Sequence, residues 1–147
     1  MYTHDDFLIF FAAGNGGTSG AITVISPSIS KNAVAVGATG TAHYSNQRID
    51  YVAPFSGNGP AIDGRLKPDI AGPGYNIYSA KARSEGSTTN SCDTTSKMGT
   101  SMATPVVAGN AALVRQYFQD PRFWARVCNP KYKMCQKGAQ SVSGYAL

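Results

Sequence analysis

Apolar residues fall in short, dense blocks separated by turns. Phe7-Leu-Ile-Phe-Phe-Ala-Ala13 is a continuous apolar run stopped by Gly14-Asn15-Gly16-Gly17. A run this short, rich in bulky residues and closed by glycine, predicts a strand buried on both faces, as in a parallel sheet. Ala33-Val-Ala-Val-Gly37 is a second such run, and Ala21–Ile25 reads as extended. Tyr51–Ala53, Asp69–Ala71 and Asn76–Ser79 are shorter strand candidates. Turn signals separate them at Ser26-Pro27, Gly57-Asn58-Gly59-Pro60, Asp63-Gly64 and Gly72-Pro73-Gly74. Residues 81–97 are rich in Ser and Thr and read as a loop. The period then changes to that of a helix. From Ser101 to Phe118, one row holds Val107, Ala111, Val114 and Phe118, and an adjoining row holds Val106, Leu113 and Tyr117. Thr100 or Ser101 suits the N-cap, and Pro105 is placed in the first turn. Ala108 and Gly109 are small enough for close packing on a sheet, and Asp120-Pro121 ends the helix.

Composition narrows the class. The chain has 147 residues, of which 42% are apolar and 14% charged. That balance excludes intrinsic disorder, and the longest apolar run falls far short of the roughly 20 residues a membrane span needs. The net charge of +5 is local. Residues 1–114 carry equal numbers of positive and negative side chains. The excess lies in Arg115, Arg122, Arg126, Lys131, Lys133 and Lys137, opposed by Asp120 alone. No stacked-aromatic or recognition-helix pattern accompanies this basic tail, so it reads as a solvated surface rather than a nucleic-acid site.

Cys92, Cys128 and Cys135 lack the C-x-x-C spacing of a zinc site. Cys128 and Cys135 flank a six-residue loop that a disulfide could close, which suggests an oxidising compartment. Cys92 is then unpaired, or paired outside the chain. The first residues, Met-Tyr-Thr-His-Asp-Asp, have neither the basic region nor the cleavage site of an export signal.

Three features are candidates for chemistry. Gly14-Asn15-Gly16-Gly17 follows a buried strand. Its glycines could hold a phosphate, which keeps a nucleotide-binding α/β domain as an alternative. Yet Ser19 stands where the dinucleotide fingerprint needs its last glycine, and no Walker lysine follows. Alternatively, Asn15 offers a side-chain N–H at the end of a rigid strand, which suits an oxyanion hole, or it simply supplies a turn. In Gly99-Thr-Ser101-Met-Ala-Thr-Pro105 a serine opens a helix, where backbone N–H groups favour developing negative charge. Ser101 therefore reads as either a cap or a nucleophile whose own N–H helps hold an oxyanion. A G-x-S-x-G elbow needs a histidine later in the chain. His4 and His43 both precede Ser101 and read as surface residues, which disfavours an α/β-hydrolase.

These segments resemble a known family. F-F-A-A-G-N-G-G at 10–17 is similar to the oxyanion-hole segment of the subtilisin-like serine peptidases, and K-M-G-T-S-M-A-T-P-V-V-A-G at 97–109 to their nucleophile segment. A-V-A-V-G-A-T at 33–39 and F-S-G-N-G-P-A-I-D-G-R-L-K-P-D-I-A-G-P-G at 55–74 resemble the segments between, in the family's order. The resemblance covers roughly residues 5–118 and implies a three-layer α/β fold with a mostly parallel sheet. It implies Ser101 as nucleophile and Asn15 as oxyanion donor. Ala12, Ala13 and Gly14 become part of the primary substrate wall, and Gly99 and Thr100 shape the approach to Ser101. It also implies a cis peptide at Ser26-Pro27. The substrate is a protein or peptide, and the location is extracellular or secretory. No cofactor enters the reaction. Calcium occurs in the family, but no ligand cluster of this chain can be matched to a site.

The departures define the expected limits. The family's triad runs Asp, His, Ser, with the first two well upstream of the asparagine segment. Here 14 residues precede Asn15 and contain neither segment. Residues 1–118 therefore correspond to the C-terminal part of the peptidase domain. Residues 119–137 read as a basic, cysteine-containing insertion, and 138–147 as the start of a further, truncated segment. The expected partner is the missing N-terminal half of that domain. Without it the chain is expected to be inactive, either as part of an endopeptidase or as a degenerate remnant or binding module. F-S-G-N-G-P replaces the usual F-S-S-R-G-P at 55–60, so loop contacts there are expected to differ.

Overall fold

The computed structural model describes residues 7–41, 49–82, 86 and 92–119. Strands β1 (Phe10–Ala12), β2 (Val34–Thr39) and β3 (Ile70–Pro73) form a parallel sheet in the order β1-β2-β3. Phe10 pairs with Val34, and Val36 with Ile70. β2 is central, and Ala35 through Ala38 are buried on both faces. That is why its sequence is uniformly small and apolar instead of alternating. The mostly parallel α/β class is therefore present. β4 (Ile77–Ala80) and β5 (Thr94–Lys97) form a separate antiparallel pair. Helix α1 (Thr100–Gln119) follows. The chain divides into two compact units, one of residues 10–107 and one of residues 1–9 with 108–147.

The core of the larger unit is Val36, Ala38, Ala53, Ala103 and Val107, with Phe10, Val34, Phe55 and Tyr75 packed around it. The first two turns of α1 lie close on the sheet because Gly72 has no side chain. A Cβ there would stand 2.6 Å from Val107 Cγ2. The sheet thus meets the helix through Gly72, Ala103 and Val107. Gly109, expected to make that approach, is exposed with nothing within 4 Å of its Cβ direction.

Other expectations are corrected. β1 is shorter than the apolar run, and its three residues are half-buried rather than buried on both faces. Phe7 and Leu8 lie outside it and are exposed. Among the described residues β1 pairs with β2 alone, and one neighbour gives an edge strand. Tyr51–Ala53 yields a single bridge between Thr39 and Val52. Ala21–Ile25 forms no strand, and Ile22 takes a positive φ of 58°. Within 81–97, read as loop, residues 94–97 pair as β5. This hairpin is mostly exposed on both faces, so no apolar alternation marks it. The Ser26-Pro27 peptide is cis, as the resemblance implied. Cys92 is exposed and free. Cys128, Cys135 and the segments at 120–147 lie outside the described residues.

One ion pair fastens β2 to the loop before β3. Lys67 is almost wholly buried, and its Nζ donates to the Ala33 carbonyl (3.1 Å) and to Asp69 Oδ2 (2.6 Å). The same oxygen accepts the Ala35 N–H at 2.7 Å. Partial burial raises the Asp69 pKa, but the Lys67 hydrogen bond, the Ala35 N–H and the nearby positive charges outweigh it. The carboxyl is held below its ordinary 3.8. A depressed native pKa contributes stability that is complete above the unfolded-state value and lost as pH falls through the native one. Urea midpoints are therefore expected to fall below about pH 4. Asp69→Asn should flatten that acid limb while lowering the midpoint at pH 7. An unchanged acid limb in the variant would show that Asp69 is not its source.

Candidate active site

β1 leads through Ala13 and Gly14 to Asn15, and β5 leads through Met98 and Gly99 to the start of α1. The two segments meet at Thr100. The Thr100 N–H donates to Asn15 Oδ1 at 2.9 Å, and Thr100 Oγ1 donates to the same oxygen at 3.0 Å. Oγ1 in turn accepts the buried Gly14 N–H at 3.2 Å. A backbone N–H can only donate, so the Asn15 atom facing it is the carbonyl oxygen and Nδ2 points away. Nδ2 lies beside Gly99, where a Cβ would stand 3.1 Å from it. Gly99 also has a φ of +148°, so its missing side chain serves both the backbone and the asparagine.

The helix start is accordingly capped from outside. Gly99 is the cap residue, and its carbonyl accepts the Met102 and Ala103 N–H groups. Neither Thr100 nor Ser101 caps the helix, as the local pattern had suggested. They are its first and second residues, and Asn15 supplies the side-chain cap. Pro105 falls in the second turn rather than the first. It has no N–H to offer the Ser101 carbonyl four residues back. Of the first four helix N–H groups, that of Ser101 makes no hydrogen bond among the described residues. Ser101 and Asn15 are both exposed, whereas Ala13, Gly14, Gly99 and Thr100 are buried and Ala12 is half-buried. No acidic side chain occupies the first turn to offset the partial positive charge there. The structure thus combines an exposed hydroxyl, a free N–H and an oriented amide at one helix start.

The loop after Asn15 is held by Asn58, whose importance the sequence left open. Its Nδ2 donates to the Gly17 and Gly20 carbonyls (2.8 and 3.0 Å), and its own N–H donates to Thr23 Oγ1 at 2.8 Å. Buried Ser56 joins the same region to β2 by accepting the Ala38 N–H at 3.0 Å. Neither contact leaves a periodic trace. The glycine turn opens only a three-residue 3-10 turn, Gly17–Ser19. It lacks the helix N-terminus that a phosphate site of the dinucleotide type requires, which counts against the nucleotide alternative. His4 and His43 fall outside the described residues. Among the described residues, no group of three or more His, Cys, Asp and Glu stands together for a metal. None of their helices is long and apolar enough to cross a membrane.

Thr100 is testable as the joint of this site. Thr100→Val removes the hydroxyl donor to Asn15, keeps the backbone one, and leaves the buried Gly14 N–H without a partner. A loss of about 1–3 kcal/mol in stability is expected, with Thr100→Ser restoring most of it. Chemical unfolding of the three proteins checks this, and equal stability of the valine variant would refute it.

A parallel α/β sheet and an exposed serine at a helix start, beside an oriented asparagine amide, fit the fold of the subtilisin-like serine peptidases. The chain belongs to the Subtilase family, whose sequence profile matches residues 1–134. It is 39% identical over 121 residues to the serine protease AprX of Bacillus subtilis, covering 77% of this chain and 27% of that protein. It is 37% identical over 123 residues to pyrolysin of Pyrococcus furiosus, covering 70% of this chain and 8% of that one. Among solved structures, the prenylagaramide maturation protease PagA matches with a TM-score of 0.58 and 28% identity, over 78% of this chain and 34% of PagA. The S41 psychrophilic protease matches at 0.55 and 32% identity, over 77% and 35%. The chain thus spans well under half the length of these relatives.

Proposed function

We propose that these residues form the nucleophile and oxyanion-hole part of a subtilisin-type serine endopeptidase acting on protein or peptide substrates outside the cell. The observation that carries the reading is the Asn15 amide. Its oxygen is held by Thr100, and its N–H donors are turned out beside Gly99 at a helix start where the Ser101 N–H is free. In the reaction, Ser101 Oγ attacks the scissile carbonyl carbon. The carbonyl oxygen takes up negative charge, and Asn15 Nδ2 and the Ser101 N–H stabilise it. Ala12, Ala13 and Gly14 flank the substrate side chain. No cofactor takes part. The hydroxyl proton must pass to a base, and in this reading a histidine oriented by an aspartate comes from a segment upstream of residue 1. Such a base contributes about 10²–10⁴-fold, so the 147 residues alone are expected to be inactive.

The test is the transcript upstream of Met1, followed by labelling with a fluorophosphonate. An in-frame extension encoding an aspartate segment and an H-G-T-H-like segment, with label on Ser101 of the resulting protein, supports the reading. A message that begins at Met1, with Ser101 unlabelled, would make the family membership a matter of ancestry and the peptidase reading wrong.

A further inference from the structure

We infer that Asn58 is a positioning residue for the reaction, acting through the backbone that carries Asn15 rather than on the substrate. The inference rests on the proposed function. The turn Gly14-Asn15-Gly16-Gly17 contains three glycines, and Gly14 has a φ of +104°. Glycine leaves a backbone many conformations, whereas an oxyanion donor must be fixed before the negative charge develops. Thr100 holds the side-chain oxygen of Asn15. The flanking backbone needs a second hold, and residues 55–58 supply it.

That hold grips both sides of Asn15. Before it, the Gly14 carbonyl accepts the Gly57 N–H at 2.8 Å. After it, the Gly17 N–H donates to the Phe55 carbonyl at 2.9 Å, and the Gly17 carbonyl accepts Asn58 Nδ2 at 2.8 Å. The same Nδ2 reaches the Gly20 carbonyl at 3.0 Å, so one amide closes residues 17–20. Asn58 is pinned in turn through its own backbone. Its N–H donates to Thr23 Oγ1 at 2.8 Å, and its carbonyl accepts the N–H groups of Thr23 (2.8 Å) and Val24 (3.3 Å). So close an approach requires glycine at 57, where a Cβ would stand 2.9 Å from the Ala13 carbonyl oxygen and 3.2 Å from that of Gly14. Gly57 and Asn58 are the two positions at which F-S-G-N-G-P departs from F-S-S-R-G-P. The departures are therefore paired: Gly57 admits the approach, and Asn58 supplies the amide that fastens it. Asn58 is exposed and fills no core, so these hydrogen bonds are its contribution.

The experiment is a double-mutant cycle in the protein extended to include the aspartate and histidine segments. It reads kcat and KM on one peptide anilide, below the thermal midpoint of every variant. Asn58→Asp keeps the side chain's shape and removes both Nδ2 hydrogen bonds, and Asn58→Ala removes them without adding a charge. Each is expected to lower kcat by about 10–100-fold, on the scale of a catalytic group displaced by ~1 Å. KM should stay within about twofold, as for an interaction that acts only in the transition state. In an Asn15→Ala background the oxyanion donor is already gone, so the same substitutions at Asn58 should lower kcat further by less than about twofold. A residue that served stability alone would cost the same factor in both backgrounds. Equal factors, or a kcat unchanged by both substitutions, overturn the inference and leave the peptidase reading intact. An extended protein that does not cleave the anilide overturns the peptidase reading and the inference with it.

Discussion

Replacing Ser101 by alanine in the active, extended protein is expected to lower kcat by about 10⁶-fold, the scale known for the nucleophile of subtilisin, a member of the same family. At about 1.4 kcal/mol per decade this is roughly 8 kcal/mol of barrier. The size follows from the proposed role, in which the hydroxyl oxygen forms the covalent bond to the acyl carbon and nothing else at the helix start can replace it. What remains should be the modest rate that oxyanion donors and substrate binding sustain with water as the nucleophile. The fold should be indifferent to the change. Ser101 is exposed in the second position of α1, so its loss opens no cavity. The check is a paired measurement of turnover and thermal midpoint. Turnover near the unsubstituted rate, with Ser101 absent, would remove it from the nucleophile's role.

Asn15→Asp is expected to separate stability from catalysis. The carboxylate keeps an oxygen for the Thr100 N–H and hydroxyl, the two bonds that Oδ1 now accepts. It also places a negative charge at a helix N-terminus, where it is favourable by a few tenths to about 1 kcal/mol. The thermal midpoint should therefore hold or rise. Activity should move the other way. The N–H donor is gone, and a fixed negative charge stands where the substrate oxygen becomes negative. Loss of that donor alone costs about 10²–10³-fold in kcat, a magnitude known from subtilisin, and the charge should make the loss larger. Asn15→Ala should lower both quantities, because Thr100 then loses its acceptor as well. If Asn15→Asp left kcat unchanged, Asn15 would be a cap and not an oxyanion donor.

The legible parts of this protein are those in which one segment decides its own state. The small apolar block before Gly37 reads as a central parallel strand because both of its faces must be apolar, and β2 has this character. The 3.6-residue period of 101–118 marks α1 within a residue or two at each end. Asn76–Ser79 marks β4, but its partner β5 is not legible, because the exposed β4–β5 pair buries too little to constrain its composition. The helix face was overread. Leu113, Val114 and Phe118 keep the apolar period but stay exposed, since a period states which residues share a face and not what covers it.

The site divides along the same line. Ser101 and Asn15 stand in distinctive local motifs, so the family could be read from the chain. Which atom of Asn15 faces outward could not be. That depends on Thr100, 85 positions away, whose N–H and hydroxyl take the carbonyl oxygen and leave the amide free. The sequence by itself determined the parallel-sheet class, the serine-opened helix and the asparagine turn, because each follows from local patterning of polarity and glycine. Only the tertiary structure decided that the asparagine caps the serine's helix, that Asn58 clamps the turn and that Ile25 covers Gly14. Each of these is a contact between distant segments, and no local pattern encodes the distance between them.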